Sequence, residues 1–119
     1  MININSIFII KDNSGIKSIK CIGILNKKEK KLKLGDIIIG SVLKSNSLEY
    51  PKSTIIKALV VKTKKTFIRK DGTTIRFNTN SAIVVDNELN MKSTKIFGAI
   101  PYEIKNKCKK ISGSINIVI

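Results

Sequence analysis

The stretch IIKALVVKTKKTFIRKDGTTIRFNTNSAIVVD, residues 55–86, sets the reading of the whole chain. Its two ends, IIKALVVKTKK and SAIVVD, are short runs rich in Ile and Val, the composition of strands packed on a core. Between them, Asp71-Gly72 is the strongest short-range hairpin signal in the sequence. A two-residue turn there pairs Lys70 with Thr73, Arg69 with Thr74, Ile68 with Ile75, Phe67 with Arg76 and Thr66 with Phe77. Strand alternation then puts Thr66, Ile68, Ile75 and Phe77 on a mostly apolar face, and Phe67, Arg69, Thr74 and Arg76 on the other. Arg69 and Arg76 are the only arginines among 23 basic residues. This register projects both guanidiniums from one side as diagonal neighbours about 7–8 Å apart, comparable to the spacing of successive phosphates. Arg binds phosphate oxygens through a planar fork that Lys lacks, and Phe67 beside it adds a stacking surface.

Working outward, further strand-like runs recur at the spacing of a small all-β barrel or sandwich. SIFIIK ends in DNSG, where Asn13 and Gly15 can take the positive φ of a tight turn, and SIKCIGIL returns as its antiparallel partner. GDIIIGSVLK is a third strand, apolar on both faces at Ile37 to Ile39, with Gly40 marking a bulge or bend. After KIFGAI the pattern changes. Pro101 suits a first helical turn, and Ile100, Ile104, Cys108 and Ile111 fall on one stripe, which predicts a short amphipathic helix over about 101 to 109. SINIVI at the end reads as one more extended segment, and the 119 residues read as one domain, with a body of hairpins over 1–98 and a helix and tail over 99–119.

The charge balance is 23 Lys and Arg against 8 Asp and Glu, with no His, a net charge of +15. Such an excess repels itself unless a polyanion neutralises it, which points to nucleic acid or an anionic surface. A hydrophobic fraction of 42%, including 24 Ile, excludes a disordered basic tail. Lysines concentrate in NKKEKKLK at 26–33, which holds Lys27, Lys28, Lys30 and Lys31, and in the run Lys57, Lys62, Lys64, Lys65, Arg69 and Lys70. The predicted helix adds Lys105, Lys107, Lys109 and Lys110 off its apolar stripe. Any one such run is ordinarily a solvated face, but three on a folded chain of this charge favour a wide phosphate-binding surface. Aromatics are only 5%, and the four Phe are mostly explicable as core, so the surface reads the shape and backbone of RNA more than its bases.

Catalytic parts are missing. Without His, and with scattered carboxylates, there is no acid and base pair and no metal set, so neither an enzyme nor a cofactor is expected. Asp12, Asp36 and Asp71 each stand beside a turn Gly or Asn, where capping a backbone amide is the expected job. Cys21 and Cys108 share no motif and read as two buried thiols. No apolar run is long enough to cross a bilayer, and neither a signal nor a transit peptide is apparent. Lys, Ile and Asn together number 56, the mark of AT-biased coding in an organelle or an AT-rich bacterium.

KDNSG at 11–15, the GD-I-I-SV pattern at 35–42, KALVVKTKKTFIRKDGTTIRFNTNSAIVV at 57–85 and STKIFG at 93–98 together resemble the universal fourteenth protein of the large ribosomal subunit. The resemblance runs from the first strand to the terminal helix and is densest over 57–98. It implies an all-β fold: a small closed five-stranded β-barrel of OB-like size, with a protruding β-hairpin and a short C-terminal helix. It also implies large-subunit rRNA as ligand, bridges to small-subunit rRNA, and contacts with the third and nineteenth proteins of the large subunit. A ribosome silencing factor would share the C-terminal surface. Residue by residue, Arg69 and Arg76 match the family's rRNA-binding hairpin, and Thr94, Lys95 and Lys110 match the partner surface, to which the outward Lys105 and Lys109 of the helix add. The family usually has Gly where Ser93 stands, Arg where Lys95 stands, and Pro where Ala99 stands.

These readings lead to a structural rRNA-binding protein of the large subunit, in a mitochondrial ribosome by preference over a plastid or bacterial one. Two rivals remain at this stage. One is a free-standing OB-type RNA-binding module, such as a translation factor. The other is a peripheral membrane protein held by charge, although the narrow Ile stripe of the terminal helix is a poor insertion face, so no membrane partner is expected.

Overall fold

The computed structural model describes residues 6–12, 14–25, 34–46, 48–64, 66–86, 96, 98–102, 104 and 117–118. Five strands close a barrel in the order β1 (Ile7–Ile10), β2 (Ile16–Ile24), β3 (Ile37–Ser45), β4 (Ile55–Lys62) and β7 (Ser81–Val85). Four of the five seams are antiparallel, and the last, β1 against β7, is parallel. A separate two-stranded hairpin, β5 (Phe67–Ile68) and β6 (Thr74–Ile75), stands between β4 and β7. β8 (Ala99–Ile100) pairs in parallel with β9 (Ile117–Val118), so part of SINIVI is extended, as its composition indicates.

Strand alternation fills the barrel. Phe8 and Ile10 from β1, Ile16, Ile19 and Cys21 from β2, Ile38 and Val42 from β3, Ile56, Ala58 and Val60 from β4, and Ala82 and Val84 from β7 form one buried cluster. Burial pushes the Cys21 thiol up from its ordinary pKa, against the opposing effect of its contact with the Gly23 carbonyl. Gly40 lies inside this wall for lack of space: a Cβ there would meet Ile19 Cδ1 at 2.8 Å and the Lys20 carbonyl oxygen at 3.3 Å. It pairs with Cys21 beside a register shift between Cys21 and Gly23, which is the bulge its position in the sequence signals.

β7 and the stretch Ala58–Val61 of β4 are buried on both faces. Their outward residues Leu59, Val61, Ile83 and Val85 form a second core with Ile96, Ile100 and Ile104, edged by Leu34 and Ile37. That second layer explains why IIKALVVK and SAIVV read as continuous apolar runs. After Pro101, Tyr102 and Ile104 are helical, and the Ile104 N–H donates to the Pro101 carbonyl at 3.1 Å. The rest of the expected helix, 105 to 109, lies outside the described residues.

The barrel's parallel seam is finished by a side chain. Backbone bonds run from Ile9 N–H to the Asn80 carbonyl and from Lys11 N–H to the Ala82 carbonyl. At the next rung, Asp12 Oδ2 accepts the Val84 N–H at 2.9 Å, while its Oδ1 accepts from the Ser14 N–H and hydroxyl at 3.0 and 2.6 Å. Asp12 is therefore buried and caps both a turn and a strand, and Gly15 takes φ of +94° to complete the return into β2.

Candidate nucleic-acid interface

The hairpin forms at the place the sequence indicates, but in a different register. Phe67 faces Ile75, Ile68 faces Thr74, and the Arg69 N–H donates to the Thr73 carbonyl at 2.8 Å. The connection is a three-residue loop, Lys70-Asp71-Gly72, closed by the Gly72 N–H on the Arg69 carbonyl, with Gly72 at φ +89°. This is a turn followed by one left-handed residue, in place of a two-residue turn with two of them. Asp71 explains the choice: its Oδ1 accepts both the N–H and the hydroxyl of Thr73, at 3.0 and 2.6 Å, which an Asx turn supplies without a positive φ at Asp71. These bonds, the hydroxyl first, hold the Asp71 carboxyl below its usual range, and the Arg69 charge assists.

A one-residue slip exchanges the faces. Phe67, Arg69, Ile75 and Phe77 are half-buried, whereas Thr66, Ile68, Thr74 and Arg76 are exposed, Ile68 by 71%. The expectation that Arg69 and Arg76 share one side is therefore overturned, as is that of an outward stacking surface on Phe67. Arg69 lies over the Tyr102 ring, its Cζ 4.4 Å from the centroid. Arg76 points the other way, with Lys70 exposed at the turn.

The other expected contacts divide by environment. Lys64 is exposed at the base of the hairpin, its backbone N–H held by Asn80 Oδ1 at 2.9 Å. Lys62 is half-buried, with its Nζ 5.8 Å from the Phe77 centroid and so close to Gly98 that a Cβ there would meet it at 2.8 Å. Burial lowers the Lys62 pKa, and the Lys11 charge adds to this. Lys57 is half-buried in a groove that also contains Glu49 and Asp86, so its charge has acidic neighbours. Lys27, Lys28, Lys30, Lys31, Lys65, Thr94, Lys95, Lys105, Lys109 and Lys110 lie outside the described residues.

Sequence reasoning passed over two features. Lys17, Lys20 and Lys44 are exposed on β2 and β3, where Lys44 pairs with Ser18; the charge of the first two within the apolar run IKSIKCIGI is the signal that finds them. Tyr102 belongs to no motif, and only the folded arrangement brings it to Arg69. Among the described residues no group of three or more His, Cys, Asp or Glu could hold a metal ion, and no helix is long and apolar enough to cross a membrane.

Comparison with known proteins agrees with this architecture. The family model of ribosomal protein L14p/L23e matches residues 1–119. The large ribosomal subunit protein uL14c of Eimeria tenella is 43% identical over 108 residues, covering 90% of this chain and 89% of that protein. The protein of the same name from Helicosporidium sp. subsp. Simulium jonesii is 41% identical over 105 residues, covering 87% and 86%. Neither relative supports the mitochondrial preference drawn from composition. The whole-chain match and the two relatives establish that this chain belongs to the ribosomal protein L14p/L23e family, whose members are structural proteins of the ribosome and not enzymes.

Proposed function

We propose that the protein binds large-subunit rRNA, with the exposed side of the hairpin and its base as the main phosphate contact. The observation that carries this reading is the charge on that element. From Ile55 to Val85 there are seven basic residues and one acid, Asp71, whose carboxylate is engaged by its own turn. Lys64, Lys70 and Arg76 thus stand exposed on an element whose one carboxylate is directed at Thr73. The lysines at 26–33 and those of the terminal segment extend the contact, as point charges that neutralise converging RNA strands. The barrel supplies a rigid base for these groups.

The finer assignments follow the family resemblance. Thr94, Lys95, Lys105, Lys109 and Lys110 form the surface toward the small subunit, its rRNA bridges and a silencing factor. Neighbouring large-subunit proteins, including the third and nineteenth, complete the surroundings. The outer faces of β1, β2 and β4 expose Ile7, Ile9, Ile22 and Ile55, side chains suited to a protein neighbour more than to phosphate. Both relatives carry the designation uL14c, the plastid form, so a plastid ribosome is the preferred setting.

Replacing Arg69 and Arg76 together by Ala should lower occupancy in purified large subunits more than replacing two lysines of the 26–33 loop. Equal occupancy would contradict the assignment of the hairpin. Sedimentation in high salt separates a resident subunit protein, which stays with the particle, from a free-standing factor, which washes off.

A further inference from the structure

Among the described residues, few backbone bonds tie the hairpin to the barrel. β5 and β6 pair only with each other, and the root is fixed by the Phe77 N–H on the Thr63 carbonyl at 3.1 Å and by Lys62 against the Phe77 ring. Nothing in that root fixes the tip, where Lys70 stands. At the tip, Arg69 lies over the Tyr102 ring. Both backbone groups of Arg69 are built into the turn, the N–H on Thr73 and the carbonyl on Gly72, so its side chain moves only with the hairpin. Tyr102 is held just as firmly from the other side. Its neighbours Ile100, Pro101 and Ile104 are buried, and two of them belong to the core on the outer face of β4 and β7. A guanidinium 4.4 Å from a ring centroid is within the range where a cation is attracted to a π face, and Arg stacks on such a face as Lys does not.

We infer that Tyr102 is a positioning residue for the RNA-binding hairpin: by holding Arg69 over its ring, it sets the tip so that Lys70 and Arg76 meet the RNA together. This rests on the rRNA-binding reading above. The tyrosine acts through its ring, and its hydroxyl is dispensable. Arg69, inward in this register, then serves the interface mainly as the clamp's other half.

The test is a double-mutant cycle on the full chain, with affinity for purified large-subunit rRNA measured across a salt series. Tyr102→Phe should bind within about twofold of the parent, because it keeps the ring. Tyr102→Leu should bind about fivefold more weakly and show a shallower salt slope, as phosphate contacts are lost. Adding Tyr102→Leu to Arg69→Ala should change nothing further. In the free proteins, amide exchange in the hairpin should accelerate alike in Tyr102→Leu and Arg69→Ala while the urea midpoint of the barrel holds. Losses that multiply in the double variant, Tyr102→Phe as weak as Tyr102→Leu, or unchanged hairpin exchange would each overturn the inference while RNA binding stood. A parent protein with no affinity for the rRNA would instead bring down the binding reading and this inference with it.

Discussion

Removing the Asp12 carboxylate should open the barrel at its only parallel seam. Asp12 is 5% exposed and accepts three hydrogen bonds, one from the buried Val84 N–H and two from Ser14. In Asp12→Ala the Val84 donor is left unpaired in a buried place, at about 1–3 kcal/mol. Loss of the turn cap at Ser14, whose groups can recover water, adds roughly 1 kcal/mol by analogy with helix caps. The sum is about 3 kcal/mol, a large part of the roughly 5–15 kcal/mol that holds a domain folded. With a urea slope of about 1–3 kcal/mol per M, the midpoint falls by about 1–3 M.

Asp12→Asn separates geometry from charge. An amide offers one oxygen, so it can satisfy Val84 or Ser14 but turns an NH2 toward the other. Its loss should be about half that of Ala. Ser14→Ala, which forfeits a single hydroxyl bond, should lose less than about 1 kcal/mol. The expected order of urea midpoints is therefore parent, Ser14→Ala, Asp12→Asn, Asp12→Ala. If the carboxylate mattered only as one of 8 acids offsetting 23 basic residues, Asn and Ala would destabilise equally. That result, or an Asp12→Ala midpoint within error of the parent, would refute the seam reasoning.

Three further outcomes follow from packing, backbone and burial. Gly40→Ala places a methyl 2.8 Å from Ile19 Cδ1, within the barrel, and should destabilise by about 1–3 kcal/mol in urea unfolding. Gly98→Ala should lose about 1–2 kcal/mol through its φ of +82°, because the Lys62 ammonium in its way can move aside. The loss should be as large in a Lys62→Ala background, whereas a smaller loss there would place the cause in the clash. The Cys21 thiol, raised by burial, keeps its proton to higher pH in the folded state than in the unfolded chain. Its contribution is thus complete below the unfolded pKa and declines as pH rises through the folded one, so a fall in unfolding free energy above about pH 9 should be smaller in Cys21→Ala.

Much of this fold was legible because the barrel obeys one simple rule. Burial alternates along a strand covered on one face, as over Ile7–Ile10 and Ile19–Ile22, and does not along one covered on both, as in ALVV and SAIVV; IFII is apolar throughout, so there the alternation shows only in the fold. The glycines at 15 and 40 and the aspartates at 12 and 71 also did what their neighbours indicated. The hairpin register was not legible, and the reason is local. Asp-Gly serves a two-residue turn and a three-residue turn almost equally well, and what separates them here is the threonine after the glycine, which completes the Asp71 turn through both its N–H and its hydroxyl. Burial could not settle the register, because each alternative offers one mostly apolar face: Thr66, Ile68, Ile75 and Phe77 in the expected one, and Phe67, Ile75 and Phe77 beside Arg69 in the observed one.

That slip alters the meaning of the two arginines. In the expected register they form a matched pair for successive phosphates, and either could replace the other in part. In the observed one they do different work: Arg76 is exposed, as Lys70 and Lys64 are, and Arg69 faces inward onto an aromatic ring. A lysine would serve Arg76's electrostatic task nearly as well, because a point charge satisfies a phosphate without a planar fork. It would serve Arg69 poorly, since the contact depends on a flat, weakly hydrated cation over the ring. Arg76→Lys should therefore leave rRNA affinity within about twofold, while Arg69→Lys should approach the loss seen in Tyr102→Leu. Equal tolerance at both positions, measured against the same rRNA at one salt concentration, would mean that the two arginines are interchangeable charges and that the inward face of the hairpin plays no part in setting the outward one.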